Sequence, residues 1–329
     1  MKEYEALTPE DKRKRMSNVV AEALKAYDIN IASIEYLDTC TNMFFKVSSI
    51  EGKHYAAKVV MDDCIAKEDN LLEAYLLEVV SKRSDIRIPK VVKNSCGDSV
   101  VTVDAIYTPE KKRVMIYEWF NGIDVDGTEN EAYFKDIGEV TAKLHNALEH
   151  AKIPKLSQKK WDKVFYFKDE RVVYKDECYA SVLTDDYHTV MDKATTHLND
   201  ELPKLYDKNK AFLIHGDLNP WNVKRDGDEL VLFDFEDNIY GTALHDLAIM
   251  LYYYEYSNRF DFNKVKSWYF EGYSSVRPLP DFTDRELDQL MTARRVNFLN
   301  YILQVDDSPS EYIARSLPRV KSYFEKYGI

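Results

Sequence analysis

The pattern of apolar and polar positions divides the chain into a strand-rich part and a helix-rich part. Short apolar runs bounded by turn residues fill the first 120 positions, which is typical of an antiparallel meander. From residue 121 onward, apolar residues recur every three or four positions, which predicts helices. We therefore expect an α+β fold, with a sheet over residues 1–120 and mainly helices over residues 121–329. The predicted strands of the meander cover 31–37, 43–47 and 55–60.

A helix is predicted to precede the sheet. Thr8 is a suitable N-cap, Pro9 suits the first turn, and the acidic residues that follow favour the positive end of the helix dipole. The basic run Lys12–Arg15 falls near the start of this helix. We favour a solvated helix face for this run over a nucleic-acid site.

The chain is acidic, and this narrows its partners. Its 329 residues carry 45 Lys and Arg against 57 Asp and Glu, a net charge of −12 at pH 7. A general nucleic-acid or anionic-membrane binder needs a basic face, so we expect neither partner, whereas a cationic small molecule is compatible. Four scattered cysteines lack zinc-ligand spacing, and we find no apolar run as long as a signal peptide or a membrane span. These features predict reduced thiols and a cytoplasmic protein.

The densest cluster of polar chemistry lies at the ends of two predicted strands, Phe212–Ile214 and Leu230–Phe233. Such a layout displays side chains at the strand ends. Kinase catalytic loops and their metal-binding triplets share this order of residues. The cluster consists of the pattern H-x-D-x-x-x-x-N, with His215, Asp217 and Asn222, and of the triplet D-F-E that opens with Asp234.

The residue types in this cluster suit phosphoryl transfer. That reaction needs an acceptor hydroxyl held in line with the γ-phosphate, and divalent cations that neutralise charge on the phosphate oxygens. Asp217 would take or orient the proton of the acceptor, while Asn222 and Asp234 offer hard oxygen ligands for Mg²⁺. An isolated Asp-x-x-x-x-Asn is common in turns, but four such residues in order at predicted strand ends favour the catalytic interpretation.

A family resemblance is carried by the segments HGDLNPWNV, LVLFDFEDNIYG and HDLAIMLYYY. They resemble the aminoglycoside phosphotransferase and choline kinase superfamily and, within it, bacterial phosphotransferase enzymes. The resemblance implies a protein-kinase-like fold with two lobes, a small antiparallel-sheet N-lobe that binds the nucleotide and a mainly helical C-lobe with the catalytic loop and the acceptor site. Choline kinases usually carry Asn after the motif histidine, where this chain has Gly216.

The same resemblance implies roles for individual residues. Asp217 corresponds to the catalytic base, and Asn222 and Asp234 correspond to the Mg²⁺ ligands. His215 and Asp246 correspond to residues that support the catalytic loop.

Lys58 is the candidate that contacts the nucleotide phosphates. It stands inside the predicted strand 55–60 and matches the lysine of the third kinase strand, which reaches the α- and β-phosphates. Such a lysine needs a carboxylate to hold it, and the predicted helix 66–82 offers Glu73, with Glu68 as the alternative. The competing interpretation places Lys58 on the exposed face of its strand and Glu73 on the surface.

Two further segments are predicted to contact ATP or GTP. A Gly-rich loop is expected after the first strand, but this chain has a polar loop whose side chains offer donors to phosphate. After the predicted strand 113–117, backbone groups of a hinge are expected to hydrogen-bond the edge of the base. The alternative for the hinge is an ordinary strand that ends in a turn. These segments contain Thr39, Thr41 and Asn42 in the loop and Glu118, Trp119 and Phe120 in the hinge.

Acidic and aromatic residues after the D-F-E triplet are candidates for the acceptor site. Tyrosines between residues 252 and 256 lie beside acids, and such a set would bind an amine through cation–π contacts. The alternative, which we favour, is that these tyrosines form the half-wet edge of a core helix. The candidate acceptor residues are Glu236, Asp237, Tyr253 and Glu255.

Together these features predict a phosphotransferase that moves the γ-phosphoryl group of ATP or GTP to a hydroxyl of a small, amine-bearing molecule, with Mg²⁺ as cofactor. One alternative is a Ser/Thr protein kinase of the bacterial stress-response type, although no segment resembles an activation loop that ends in Ala-Pro-Glu. Another is a regulatory pseudokinase, supported by the glycine-free phosphate loop. His145 is interpreted as a packed core histidine. Residues 152–205 are expected to hold inserted helices without assigned chemistry.

Overall fold

The structure of the protein is a computed structural model. It describes residues 4–39, 41–61, 65–104, 111–152, 154, 156, 159–166, 171–306 and 308–329. Of the four cysteines, Cys40 and Cys64 lie outside the described residues, while Cys96 and Cys178 are free thiols. The chain divides into two compact units. The first contains Met1–Ile123, Pro154–Ser157 and Lys224–Glu236, and the second contains Asp124–Ile153, Gln158–Val223 and Asp237–Ile329.

An antiparallel sheet forms most of the first unit. Its strands are β1 (Ile31–Thr39), β2 (Met43–Ser49), β3 (His54–Val60), β4 (Val91–Val92), β5 (Val101–Val103) and β6 (Lys112–Glu118). They pair in the order β1-β2-β3-β6-β4, and β5 also pairs with β6. The three predicted strands of the meander are confirmed, each one or two residues longer than expected. Every second residue of β2 is buried, as the alternating pattern requires.

Two helices accompany this sheet. Helix α1 (Pro9–Leu24) begins after Thr8, whose hydroxyl accepts a hydrogen bond of 3.1 Å from the backbone N–H of Asp11. Its buried face contributes residues such as Met16 and Val20 to one apolar core with residues of the sheet. Each fully buried side chain of this size stabilises the fold by about 1.5–3 kcal/mol. Helix α2 (Lys67–Arg83) carries the candidate partner of Lys58.

A second, smaller sheet precedes the D-F-E triplet. Its strands are β7 (Ile123–Asp124), β9 (Val223–Asp226) and β10 (Glu229–Leu232), paired in the order β10-β9-β7. Arg87 fixes the β9–β10 hairpin, because its guanidinium lies 2.6 Å from Asp226 and 2.7 Å from Glu229. Strand β10 ends at Leu232, so Asp234 follows directly after the sheet.

Helices dominate the second unit, as the sequence predicts. They are α3 (Glu131–Leu148), α4 (Asp185–Glu201), α5 (Leu205–Lys208), α6 (Ala243–Tyr252), α7 (Phe262–Ser274), α8 (Asp284–Val305) and α9 (Ser310–Tyr327). Glycines let α3 and α7 pack closely, since a Cβ at Gly138 would lie 2.2 Å from the carbonyl oxygen of Tyr269 and one at Gly272 would lie 1.9 Å from that of Lys135. Among the described residues, none of the helices combines the length and apolar character needed to cross a bilayer.

A pair of short strands frames the segment that contains both sequence motifs. Strands β8 (Phe212–Ile214) and β11 (Ile239–Gly241) are antiparallel, with Ile214 opposite Ile239. The sequence predicts β8, whose three residues form an apolar run, but not β11, which ends in Tyr and Gly and forms no such run. The architecture as a whole is of the predicted α+β class, with an antiparallel sheet in the N-terminal part and helices in the C-terminal part.

Candidate active site

Lys58 lies at the centre of a buried polar network in the first unit. Strand β3 places it where only 2% of its surface is exposed. Its Nζ lies 2.9 Å from Oε2 of Glu73 and 2.5 Å from Oε2 of Glu236. The amide of Asn42 donates to both carboxylate oxygens of Glu236, at 3.0 and 3.1 Å, and the hydroxyl of Tyr117 donates to Glu73 at 2.7 Å. We call these five residues the lysine cluster.

The charges of the lysine cluster are unequal, with one ammonium against two carboxylates. Burial alone lowers the pKa of Lys58, but the charge of Glu73 and of the acidic groups around it outweighs burial, and the pKa lies well above its ordinary value of 10.5. Burial, with the charge of Glu73, raises the pKa of Tyr117 well above 10, so this hydroxyl stays a neutral donor. Glu68, the alternative partner from the sequence, is exposed.

The structure separates the three predicted donors of the phosphate loop. Thr39 and Thr41 are exposed, and the hydroxyl of Thr39 accepts a hydrogen bond of 2.9 Å from Tyr36. Asn42 is buried, and its Oδ1 accepts from the backbone N–H of Met61 at 3.3 Å while its amide holds Glu236. The two threonines thus lie at the surface, whereas Asn42 belongs to the lysine cluster.

The predicted hinge begins at Glu118, the last residue of β6. The backbone N–H of Glu118 donates to the carbonyl of Lys90 at 2.8 Å, and that of Trp119 donates to the carbonyl of His54 at 3.3 Å. These two N–H groups therefore already have hydrogen-bond partners within the protein. The predicted hydrogen bonds to a base edge would have to come from the other backbone groups of the segment. The ring of Phe120 lies 6.3 Å from that of Phe233.

The two predicted metal ligands, Asp234 and Asn222, differ in exposure and in backbone conformation. Asp234 is exposed and has a φ of 62°, the one positive φ among the described non-glycine residues. A left-handed backbone costs about 1–2 kcal/mol outside glycine, and such strain is concentrated at functional sites. Asn222 is buried, and its amide nitrogen donates to the backbone carbonyl of Asp217 at 2.9 Å, which leaves the amide oxygen for a cation. Carboxylate and amide oxygens suit a divalent cation such as Mg²⁺.

Asp217 lies on the loop after β8, and its carboxylate oxygens have different partners. Oδ2 accepts hydrogen bonds from the amides of Asn219, at 2.8 Å, and Asn222, at 3.2 Å. Oδ1 accepts from the guanidinium of Arg294 in α8. We call Asp217, Asn219, Asn222 and Arg294 the aspartate cluster.

Arg294 is the site residue that sequence reasoning missed. It lies 77 residues after Asp217, outside every motif. A signal was nevertheless present, because Leu287, Leu290 and Met291 recur at helical spacing in the sequence and Arg294 continues the same stripe. An arginine on an apolar stripe needs a buried partner. Such an arginine is therefore a sign of a polar site.

Asp246 supports the start of the loop that follows β8. It is fully buried, and its carboxylate accepts from the backbone N–H groups of His215, at 3.0 Å, and Gly216, at 2.9 Å. Nε2 of His145 lies 3.0 Å from the same carboxylate. Burial raises the pKa of Asp246, but the hydrogen bond from His145 and the other donors outweigh burial, so the pKa lies below its ordinary value of 3.8. His145 is buried, as expected, and it also orients this supporting carboxylate.

Gly216 is required by the shape of the loop. Its φ is +81°, and a Cβ would lie 2.0 Å from the backbone carbonyl oxygen of Asp237. Any side chain would force the loop away from the segment that follows the D-F-E triplet. This contact explains why the chain has glycine after the motif histidine. The N–H of Asp217 then donates to Nδ1 of His215 at 3.3 Å.

The candidate acceptor residues fall into different surroundings. Glu236 belongs to the lysine cluster, and Asp237 packs its backbone against Gly216. The hydroxyl of Tyr253 accepts a hydrogen bond of 3.2 Å from Arg294. Glu255 accepts from Arg295 at 2.8 Å.

Arginine side chains stack on two of the tyrosines between residues 252 and 256. The guanidinium of Arg295 lies 4.9 Å from the ring centre of Tyr252 and 5.0 Å from that of Tyr256. That of Arg319 lies 3.9 Å from the ring centre of Tyr256. The favoured interpretation places these tyrosines on the edge of a core helix, but α6 ends at Tyr252, so Tyr253, Tyr254 and Tyr256 lie in the turn that follows the helix.

A pocket of about 150 Å³ opens in the second unit beside the loop that follows β8. Trp221, the residue before Asn222, is 63% exposed and meets the ring of Tyr253 edge-on at 4.9 Å. Arg259 forms ion pairs with Asp126, at 2.8 Å, and Glu129, at 2.7 Å. The lining includes Trp221, Tyr253, Phe260, Asp124, Asp126, Glu129 and Arg259. The pocket therefore combines aromatic surface with more acidic than basic groups.

Sequence comparison relates the chain to known phosphotransferases. The model of the phosphotransferase enzyme family, APH, matches residues 46–279. The amicoumacin kinase of Bacillus subtilis (strain 168) is 28% identical over 142 residues, which cover 42% of this chain and 39% of that protein. The chain thus spans about two fifths of the length of the curated relative that it matches.

Solved structures show the same fold. The amicoumacin kinase hAmiN, solved in complex with AMP-PNP, Ca²⁺ and Ami, superposes with a TM-score of 0.75 at 17% identity and covers 96% of each chain. The microcompartment-associated aminopropanol kinase superposes with a TM-score of 0.71 at 21% identity, covering 93% of this chain and 94% of that one. These matches confirm the predicted kinase-like fold. Because the family model matches more than half of its length, the chain belongs to the phosphotransferase enzyme family.

Proposed function

We propose that the protein moves the γ-phosphoryl group of ATP or GTP to a hydroxyl group of a small, amine-bearing acceptor. The observation that carries the proposal is the buried ion pair between Lys58 and Glu73, in a member of the phosphotransferase enzyme family. A buried ammonium is costly unless it is paired. A lysine held in this way presents a fixed positive charge, which suits nucleotide phosphates.

Nucleotide binding is assigned to residues 1–120. Lys58 contacts the α- and β-phosphates, with Glu73 holding its ammonium, as in kinases. Thr39 and Thr41 are exposed and offer hydroxyl donors to phosphate, and Asn42 shapes the loop from its buried position. Backbone groups of the segment Glu118, Trp119 and Phe120 recognise the edge of the base.

The catalytic loop and the acceptor site are assigned to residues 121–329. Asp217 accepts the hydrogen bond of the acceptor hydroxyl and orients its oxygen towards phosphorus. Asn222 and Asp234 are proposed as ligands of Mg²⁺, because their oxygens are of the type that this cation prefers. The cation, when bound, neutralises charge on the phosphate oxygens. His215 and Asp246 hold the loop in place.

The acceptor is proposed to be small and cationic. Aromatic faces and carboxylates are the groups that bind an alkylammonium, and both line the pocket beside Trp221. Glu129 and Asp126 share one arginine, so the lining keeps negative charge for a ligand amine. The relatives described above are kinases of small molecules by name, which supports this class of acceptor over a protein.

A panel assay tests the proposal. The purified protein is incubated with ATP or GTP, Mg²⁺ and hydroxyl-bearing amines, including amino alcohols, aminoglycosides and hydroxy amino acids. Phosphorus NMR follows the formation of a phosphate monoester. We expect transfer to at least one amine and weaker transfer to the matched alcohol that lacks the amine.

Two outcomes would contradict the proposed function. Labelled phosphate that appears in the protein fraction of a cell extract, and not in the small-molecule fraction, would indicate a protein kinase. Nucleotide binding without transfer to any acceptor or to water would indicate a regulatory pseudokinase.

A further inference from the structure

The hydrogen bonds of Asp217 leave one direction open for an acceptor. A carboxylate oxygen has two lone pairs. On Oδ2 both are used, by the amides of Asn219 and Asn222. On Oδ1 one is used, by Arg294, within the described part of the chain. A hydroxyl that hydrogen-bonds Asp217 in this geometry therefore meets Oδ1, beside the guanidinium.

The guanidinium of Arg294 is itself fixed from several sides. Its side chain is only 9% exposed. It donates to the hydroxyl of Tyr253 at 3.2 Å and lies 4.7 Å from the ring centre of Phe298. The buried Nε finds no hydrogen-bond partner among the described residues. A planar donor held by packing and by a tyrosine keeps its carboxylate partner in one orientation.

We propose that Arg294 is a positioning residue for phosphoryl transfer, which holds the carboxylate of Asp217 so that the open lone pair of Oδ1 receives the acceptor hydroxyl. This inference rests on the proposed function, in which Asp217 is the base. During transfer the bond between the acceptor oxygen and the γ-phosphorus forms, and the bond from that phosphorus to the bridging oxygen breaks. The nucleoside diphosphate leaves with the electron pair, and Oδ1 receives the hydroxyl proton.

Tyr253 connects this geometry to the acceptor pocket. Its hydroxyl accepts from Arg294, and its ring lines the pocket against Trp221. An acceptor that fills the pocket therefore touches the residue that fixes the guanidinium. Arg294 acts through the base, because its guanidinium hydrogen-bonds Oδ1 of Asp217 and is assigned no contact with the acceptor or the γ-phosphate.

Substitutions at Arg294 separate this role from a purely structural one. In Arg294→Met and Arg294→Lys we expect kcat to fall about 100-fold, because a misplaced base loses its alignment, while the KM for nucleotide stays within about threefold. Added guanidinium at low concentration should partly restore kcat in Arg294→Ala but not in Asp217→Asn. The matched control is Arg277→Met, which removes a largely buried arginine that pairs with Glu149 at 3.3 Å and should keep the kcat of the native protein.

A double-mutant cycle decides whether Arg294 acts through Asp217. If it does, Arg294→Met in the Asp217→Asn background causes no further loss of single-turnover rate. Losses that multiply, or a native kcat in Arg294→Met, would overturn the inference.

An activity-free cycle keeps the inference apart from the proposed function. The urea midpoint of unfolding is measured for Arg294→Met, for Asp217→Asn and for the double variant. We expect the midpoint of the double variant to shift by less than the sum of the two single shifts. Additive shifts would contradict the contact whether or not the protein transfers phosphate. Coupled shifts in a protein that phosphorylates no acceptor would instead reject the proposed function.

Discussion

The lysine cluster of the first unit and the aspartate cluster of the second unit both bury charge, but they balance it differently. In the lysine cluster one ammonium faces the carboxylates of Glu73 and Glu236, so negative charge is in excess. In the aspartate cluster the carboxylate of Asp217 meets one guanidinium, and neutral amides fill its other oxygen. The first cluster suits a ligand that brings its own cation, such as a metal-bound nucleotide. The aspartate cluster has no net charge, which suits the neutral hydroxyl group of an acceptor.

The largest expected difference is in how much each cluster contributes to the free energy of unfolding. Lys58→Met leaves two buried carboxylates without their cation, so we expect the free energy of unfolding to fall by about 3–5 kcal/mol. Arg294→Met leaves one carboxylate that is 18% exposed, so the loss should be smaller. Urea denaturation of both variants provides the measurement. Equal losses would show that the two clusters bury charge to the same degree.

The response to acid should also differ between the units. His245 in the second unit is buried, and its Nδ1 accepts from the backbone N–H of Thr242 at 3.1 Å. Burial lowers its pKa from 6.5 to about 4. Between these values the unfolded chain binds more protons, so the free energy of unfolding should fall by about 3 kcal/mol as the pH decreases from 6.5 to 4.

The variant His245→Gln should flatten this slope when unfolding is measured at several pH values. The raised pKa of Lys58 stabilises the fold at every pH below about 10.5, so the ammonium of the lysine cluster adds nothing to the slope in the acid range. An unchanged slope in His245→Gln would assign the acid sensitivity to other groups.

Two glycines with similar positive φ angles, Gly216 and Gly127, test the close approach of the backbone at residue 216. Gly216→Ala places a Cβ against the carbonyl of Asp237, whereas Gly127→Ala, at φ +85°, meets nothing within 4 Å. Backbone strain is therefore shared, and we expect Gly216→Ala to cost about 2 kcal/mol more in thermal unfolding. It should also lower transfer activity. Similar melting temperatures would mean that the loop can move away at little cost.

The smallest expected effect concerns the excess charge of the lysine cluster. Glu236→Gln removes one negative charge near Lys58 and keeps the shape of the side chain. We expect nucleotide without divalent cation to bind about fivefold more tightly, a gain of ~1 kcal/mol, because repulsion of the phosphates is reduced. Titration calorimetry with and without Mg²⁺ measures this. Weaker binding in both conditions would assign Glu236 a direct role in holding the ligand.

The separation of the contacting residues along the chain explains which parts of the site the sequence predicted. Lys58 and Glu73 lie 15 residues apart on a regular strand and a regular helix, and the resemblance of these two segments to those of kinases identified both. Glu236 and Asn42 are 194 residues apart, and their hydrogen bonds exist only in the folded chain. Arg294 is also remote from Asp217 in sequence, at a separation of 77 residues.

The fold was predicted where elements were long enough to show a period. Strands β1, β2 and β3 and the helices α3, α7, α8 and α9 were found for this reason. Strands β7 and β11 have two and three residues, and pairing with neighbours defines them, not their own sequence. The amides of Glu118 and Trp119 are used by backbone carbonyls of Lys90 and His54, a tertiary detail that no local pattern contains.

The most direct test of the account is the rate of acceptor phosphorylation by Asp217→Asn at saturating nucleotide, measured beside its nucleotide affinity. Asparagine keeps the size of the side chain and its hydrogen-bond acceptor but cannot receive the proton. We predict a rate lower by about 10²–10⁴-fold, with the nucleotide affinity within about twofold of the native protein. A rate close to that of the native protein would contradict the assignment of Asp217 as the base.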